Sequence, residues 1–447
     1  ILVEGRFDGP DVLVSLSERQ PLPSPEEFGA AVTILSKDPY FGEAIRNKTL
    51  RPYRSMPPLV NAGLPVSRVE RTLTVGLLPQ ATMSRNYPPE IVGVNMIRGT
   101  VVRFPAGAPP TSNAAAPVCG LPNAGQQTSS RGDAGQYQFT VSQGGTVIWS
   151  FLAIRPSVSS GTNGSGIELR DIQYHGKRVL ARAHLPILNI LYIDSACGPY
   201  RDWQWQESMI NATGSDLAPG IRLCTSKPQT ILEDNSDTGN FLGVGVYVKG
   251  QSLYLVSEME AGWYRYVSQW QFDTDGSIHP RFGFGAVENG CVCHPHVHHA
   301  YWRLDFDVDA AGSETASEEA PSGTTLFTTE TTRRRPPAGD PRSAKTWLVQ
   351  DPDTGDAYRI LPGGNDGSAD GFGKGDLWFL LYHSNEMDDG IDFGCNPSCS
   401  ANLDPFVNGE SIQNQEIVLW YGIHFVHDFS HPSHQFYLGP DLVPVSW

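Results

Sequence analysis

The sequence predicts a mainly β protein built around a large antiparallel β-sandwich, and three observations carry that prediction. Apolar residues alternate over short runs such as Tyr137-Gln-Phe-Thr-Val, Thr146-Val-Ile-Trp-Ser-Phe-Leu, Gly243-Val-Gly-Val-Tyr-Val and Leu253-Tyr-Leu-Val-Ser. Period-2 alternation of aromatic and β-branched residues suits a half-buried strand. The 46 Gly and 35 Pro, with Asn and Ser, break the chain between these runs as turns would. Few segments keep a helical period. The fair exception is Ser24-Pro-Glu-Glu-Phe-Gly-Ala-Ala-Val-Thr-Ile-Leu, where Ser24 can cap and Pro25 can sit in the first turn.

The 447 residues are enough for two or three domains. Residues 1–84 form a small α/β module, helix first and then strands such as Glu70-Arg-Thr-Leu-Thr-Val-Gly-Leu-Leu. Residues 85–135 hold the hairpin-like Glu90-Ile-Val-Gly-Val-Asn-Met-Ile-Arg-Gly-Thr-Val-Val-Arg-Phe, then a Pro/Ala/Gly/Ser linker; they read as the remnant of a second small domain. Residues 136–447 form the β-sandwich. Within it, 311–345 are rich in Ser, Thr, Glu, Pro and Arg and are expected to be a surface loop or disordered insertion. The Gly-rich stretch Pro362 to Asp376 is expected to be a loop.

A net charge of −16 excludes a nucleic-acid binder that works by neutralising phosphates. No run of about 18 apolar residues occurs, so no membrane span is expected. There are seven cysteines: Cys119, Cys197, Cys224, Cys291, Cys293, Cys395 and Cys399. The odd count leaves at least one unpaired in a monomer. Cys395 and Cys399 could close a small loop. Cys291-Val-Cys293 could ligate a soft metal or be structural. Sequons at Asn47, Asn163 and Asn211, with disulfides, point to a secreted or secretory-pathway protein.

The chemistry lies in the histidines. His296 and His298 stand at i and i+2 in Cys293-His-Pro-His-Val-His-His-Ala-Tyr-Trp-Arg-Leu-Asp-Phe-Asp307, and on a strand such a pair shares one face. His427 ends Ile417-Val-Leu-Trp-Tyr-Gly-Ile-His-Phe-Val-His. Three imidazoles from neighbouring strands make a site suited to copper or zinc that leaves room for a ligand. His294, His299, His431 and His434 read as solvated surface residues.

These motifs resemble the copper amine oxidase family. In that family the His-x-His pair is followed by a strand like Arg303-Leu-Asp-Phe-Asp307. The third copper histidine comes seven residues after a Trp, as His427 follows Trp420 (420 + 7). Ile167-Glu-Leu-Arg-Asp-Ile-Gln-Tyr-His-Gly-Lys-Arg-Val-Leu-Ala-Arg-Ala-His-Leu-Pro-Ile-Leu-Asn looks like the entry to the family's catalytic domain. The resemblance runs from about residue 85 to the C-terminus. It implies a copper amine oxidase-type catalytic sandwich preceded by small α/β domains, and copper on His296, His298 and His427. It also implies a topaquinone cofactor made from Tyr264, which falls on the cofactor position of Glu260-Ala-Gly-Trp-Tyr-Arg-Tyr-Val-Ser-Gln-Trp.

The chain departs from the pattern beside that tyrosine. Trp263 stands where the family has Asn, and Arg265 where it has Asp or Glu. A cation there is expected to favour an anion and repel a substrate ammonium. The family's catalytic acid maps near Cys197-Gly-Pro-Tyr-Arg-Asp-Trp-Gln-Trp-Gln-Glu207, where a gapless reading gives Trp205. Asp202 or Glu207 could serve after a local shift, Asp202 being the candidate base. The resemblance further implies a calcium-like site on Asp305, Asp307 and Glu416 with the carbonyls of Phe306 and Ile417, a disulfide between Cys197 and Cys224, and a homodimer.

Two functions from different classes follow. One is an amine oxidase that uses dioxygen and a quinone at Tyr264 on a small primary amine. The other is a quinone-less copper enzyme acting by redox or Lewis-acid chemistry on a neutral or anionic small molecule, such as a specialised metabolite, with Trp203, Trp205, Trp263 and Arg265 lining the pocket. A purely structural relative is disfavoured by the three retained ligands.

Overall fold

The computed structural model describes residues 2–5, 12–15, 23–59, 70–79, 90–103, 119–193, 197–309, 312–336, 344–393, 400–401, 403–427 and 434–447. The protein is mainly β, with large antiparallel sheets. It divides into two compact units, residues 1–116 and 117–447.

In the first unit the expected helix forms over Pro25–Leu35. Ser24 accepts from the Glu27 amide, and Glu27 accepts from the Ser24 amide, each at 3.2 Å. This reciprocal box satisfies two amides that the helix start would leave bare. The helix buries Ala31 and Leu35 in one core with Leu73, Val75, Leu77, Val92 and Val94. Those residues lie on a four-stranded antiparallel sheet: Leu50–Leu59, Thr72–Pro79, Glu90–Asn95 and Thr100–Arg103, in that order. The expected boundary between residues 84 and 85 therefore falls inside one sheet. The Glu90–Asn95 strand pairs directly with Thr72–Pro79, so its Val92 and Val94 complete the core of the first unit rather than starting another.

The second unit contains a nine-stranded and a twelve-stranded sheet. At the centre of the nine-stranded sheet, His296–Asp309 lies between Lys177–Tyr192 and Ile417–His427, antiparallel to both. At the centre of the other, Tyr264–Asp273 lies between Ser252–Ala261 and Ile278–Ala286. Aromatic rings from the two sheets meet, as where Phe151 stacks on Phe272 with centroids 4.4 Å apart. The core strands are almost continuously buried, which explains their long apolar runs. Pro362 to Asp376 is irregular backbone, as expected.

Four further expectations are corrected. Within 311–345 the described residues form a hairpin, Thr315–Ala320 with Gly323–Phe327, and a short strand Thr331–Arg333. Local β-branched threonines outweigh the polar composition there. Cys197 pairs with Cys291 and not with Cys224; Cys119 pairs with Cys293. Cys224 is a free thiol at a strand end, buried among Ile231, Phe241 and Tyr247. Cys291 and Cys293 lie on a 3-10 turn, Gly290–Cys293. A tight turn sends neighbouring side chains in different directions, and the two sulfurs reach different partners. This removes Cys291-Val-Cys293 as a soft-metal site. The pair Cys395 and Cys399 lies outside the described residues. The Asn163 amide is buried, donating to the Ile391 carbonyl and accepting from the Phe393 amide, so this sequon is not presented for glycosylation in the folded chain.

Candidate metal centre

The site lies between the two sheets of the second unit. Cross-strand register places His296 opposite both Tyr192 and His427. Alternation sends His296 and His298 to one face, and both are fully buried. The other sheet presents Tyr264, Tyr266 and Phe284.

The polar atoms converge. The His296 Nδ1 lies 2.6 Å from the His294 carbonyl oxygen, which fixes it as the protonated nitrogen and leaves Nε2 a bare lone pair. The Tyr264 hydroxyl lies 2.7 Å from that Nε2, and His427 Nδ1 lies 3.1 Å from it. Tyr192 holds the Tyr264 hydroxyl from the other side at 3.0 Å. Burial first of all pushes the Tyr264 phenol up, so it remains neutral in this state and can donate.

His298 stands apart. Its ring is sandwiched between Phe284, at 4.1 Å, and Phe425, at 5.4 Å. Both its nitrogens are buried and without a hydrogen-bond partner. A buried polar atom left unpaired costs about 1–3 kcal/mol, so an apolar residue would serve this packing position better. Burial, then His296 and His427, push its pKa well below the usual histidine range, which keeps a lone pair available. Three imidazoles and a phenol are a donor set that fits copper or zinc. Among the described residues, however, no group of three or more His, Cys, Asp or Glu side chains already closes around a common point.

Asp202 joins this cluster through Tyr266. The Tyr200–Arg201 strand pairs with Asn189 and Ile190, and Arg201 is locked by a buried ion pair to Asp389 at 2.7 Å. The next residue, Asp202, accepts from the Tyr266 hydroxyl at 2.5 Å. Tyr266 stacks on Tyr264, two residues back on the same strand face, at 5.5 Å. Loss of solvation pushes the Asp202 carboxyl up to about 7, although the hydrogen bond from Tyr266 acts the other way. The residue as a whole keeps some accessible surface. Glu207, the other acid considered, is fully buried in a bidentate pair with Arg155 and also accepts from the Ser157 amide. It is a structural charge.

Arg265 is not where its neighbour in sequence suggests. Strand alternation turns it away from the Tyr264 hydroxyl. There it pairs with Asp237, at 2.6 and 3.1 Å, and with Glu260 at 3.2 Å. The expectation that it would repel an ammonium beside the ring is therefore corrected: two carboxylates already neutralise it. Trp263 packs beside Tyr264, with centroids 6.1 Å apart, and beside Tyr200 at 6.3 Å. Trp203 is buried against Phe393 and donates to Gln206. Trp205 is half-buried, with its backbone close to Gly164.

The acids after the histidine pair form a second cluster. Asp307 accepts from Arg178 and Asp305 from Arg303, each through Oδ2. The Oδ1 atoms of both are buried and unpartnered. Glu314, which sequence reading passed over, joins them. One of its oxygens accepts from the Val308 amide at 3.0 Å and the other is buried and bare. Burial, then the neighbouring acids, push Glu314 up to about 8 and raise Glu416.

No family model matches this chain, and no curated protein matches it. Among solved structures it is similar to a copper-containing benzylamine oxidase from Hansenula polymorpha, at 14% identity over 97% of this chain and 84% of that one, TM-score 0.47. It is also similar to the lysyl oxidase PPLO of Pichia pastoris, at 12% identity over 94% and 72%, TM-score 0.45. An amine oxidase of Aspergillus nidulans gives 14% identity over 89% and 68%, TM-score 0.45.

Proposed function

We propose that this chain is a copper-dependent oxidoreductase that oxidises a primary amine, with copper on His296, His298 and His427 and a quinone formed from Tyr264. The supporting observation is the Tyr264 hydroxyl 2.7 Å from His296 Nε2, inside a cluster that also holds the orphaned nitrogens of His298. Bound copper supplies one-electron chemistry with dioxygen, and a quinone supplies a two-electron sink.

The chain's own residues do the rest. Amine oxidation needs a base to take a proton from the carbon bearing the nitrogen. Asp202 fills that role, with a carboxyl that titrates at about 7. Tyr266 holds its Oδ2, which leaves Oδ1 for the substrate. Tyr192 fixes the Tyr264 hydroxyl, and the Phe284 and Phe425 rings exclude water around His298. With Arg265 neutralised, a cationic amine meets no free positive charge from that residue. Asp305, Asp307, Glu314 and Glu416 are read as holding a hard divalent cation of the calcium class. The two disulfides support the reading of a secreted or secretory-pathway protein.

The test is oxygen uptake by copper-loaded protein with a panel of primary amines. Turnover is expected, with loss of at least about a thousandfold in Tyr264→Phe, because the phenol is the cofactor precursor. Equal turnover by wild type and Tyr264→Phe would sink the proposal.

A further inference from the structure

Two features of the sequence lie apart from the metal centre. The first is a correction. His299 is fully buried, not a solvated surface residue, and its Nδ1 shares one N–H···N hydrogen bond with His424 Nδ1 at 2.8 Å. The second is the set of three sequons, at Asn47, Asn163 and Asn211, which the fold places in three different settings.

Transfer of a glycan to asparagine makes three demands on the acceptor. The amide nitrogen must be free to form a new bond. Space for a bulky sugar must lie beyond it. The chain must also bend so that the hydroxyl two residues on reaches the amide oxygen and polarises the group. Asn163 fails the first two demands. It is 2% exposed, and its Nδ2 donates to the Ile391 carbonyl at 2.9 Å. Its sequon hydroxyl, on Ser165, is buried and donates to the Ser160 carbonyl. Asn211 fails the first. It is half-buried, and its Nδ2 donates to Asp234 at 2.8 Å and to the Thr238 carbonyl at 3.3 Å, which uses both N–H bonds.

Asn47 meets all three. It is exposed, and it caps the C-terminal end of the short helix Gly42–Arg46. Its backbone amide donates to the Glu43 carbonyl at 3.0 Å, which fixes the residue. Lys48, with φ at 63°, turns the chain back. The Thr49 amide then donates to Asn47 Oδ1 at 3.2 Å, and the Thr49 hydroxyl reaches the same oxygen. This Asx turn is closed within the sequon itself. The Asn47 Nδ2 donates to no described residue. The turn's bonds span two residues, so the local sequence can make them before distant strands pair.

We propose that Asn47 is an N-glycosylation site, and the one sequon of the three that carries a glycan in the folded protein. The donor is a polyprenyl diphosphate-linked oligosaccharide. A bond forms between Asn47 Nδ2 and the anomeric carbon of the first sugar. The bond from that carbon to the diphosphate breaks, Nδ2 gives up one proton, and the lipid diphosphate leaves. The proposal rests on the secretory reading above.

The test is to route the full chain through a eukaryotic secretory pathway with an added signal peptide, so that the compartment is imposed and not assumed. The secreted protein is treated with peptide N-glycosidase in heavy-oxygen water and its peptides are mapped. The Asn47 peptide is expected to gain heavy oxygen as its Asn becomes Asp, and the Asn163 and Asn211 peptides are expected to stay unchanged. Asn47→Gln should remove the glycan and leave the far-UV circular dichroism unchanged. In a second arm, folded and unglycosylated chain is given purified oligosaccharyltransferase and its lipid-linked donor. Only Asn47 should react, and unfolding the chain first should open Asn163 and Asn211 as well. A bare Asn47 in the secreted protein, or a glycan on Asn163 or Asn211 of folded chain, would overturn the proposal.

Discussion

At the residue scale, Asp202 makes the sharpest demand. Its carboxyl is raised to about 7, so it is protonated below that pH and competent as a base above it. The kcat/KM for amine is expected to rise through a pH of about 7. Asp202→Asn should lose about 10²–10⁴-fold and the rising limb with it. Because the hydrogen bond from Tyr266 lowers this pKa, Tyr266→Phe should move the limb to higher pH. A limb that stays put in Tyr266→Phe would dissociate the limb from Asp202. His298 yields a stability prediction. In metal-free protein, His298→Leu removes two unpaired buried nitrogens from between two phenyl rings. It should leave the thermal midpoint unchanged or raised, with a gain of up to a few kcal/mol, on the order of the 1–3 kcal/mol cost per unpaired group. It should also abolish any copper-induced rise. A drop in the metal-free midpoint would mean that the imidazole has a structural partner.

At the element scale, the clips on the turn before His296 matter most. Cys291 and Cys293 tie the Gly290–Cys293 turn to Cys197 and Cys119. Cys197 also begins the segment that leads to Asp202. Removing the Cys197–Cys291 bond, which spans 94 residues, should cost about 2–4 kcal/mol. A non-reducing peptide map should recover Cys197 joined to Cys291, with Cys224 alkylated only after unfolding. Recovery of a Cys197–Cys224 peptide would contradict the structure. Much of this scale was legible in the sequence. Ser24 and Pro25 announced the helix, and the i, i+2 spacing of His296 and His298 announced a shared strand face. Other features were not. Register between distant strands decides that His299 meets His424, and no local pattern encodes such a pairing. Arg265 was misjudged because adjacency in sequence is opposition across a strand. Asp237, which neutralises it, lies 28 residues away.

At the scale of the whole molecule, two large sheets bury an unusual set of acids. Glu258 and Asp202 are raised to about 7 and Glu314 to about 8, with burial the first cause in each. A carboxyl whose folded pKa exceeds its unfolded value keeps its proton longer in the folded state. Through these acids the folded protein holds protons that the unfolded protein has lost, while His184, His298 and His299, pushed down by burial, act the opposite way below about pH 6.5, so the net fall in stability with rising pH lies between about pH 6.5 and 8. A hard cation on Asp305, Asp307, Glu314 and Glu416 favours the ionised forms and offsets the fall. Thermal melts should show stability decreasing from pH 6.5 to 8 in EDTA, and calcium should restore more at pH 8 than at 6.5. A calcium effect equal at both values, or larger at the lower one, would remove these acids as its site. The division at residues 116 and 117 was harder to read than the β class, because the strands on either side of residue 84 look alike and only their pairing unites them.

The central claim is that the buried histidines and Tyr264 act together as a copper centre that matures the tyrosine. The most direct measurement is peptide mass spectrometry across Tyr264 after aerobic copper loading, with and without phenylhydrazine. The expected result is a gain on Tyr264 of two oxygens less two hydrogens, and a hydrazine adduct on the same residue. An unmodified tyrosine in fully copper-loaded, aerated protein would contradict it.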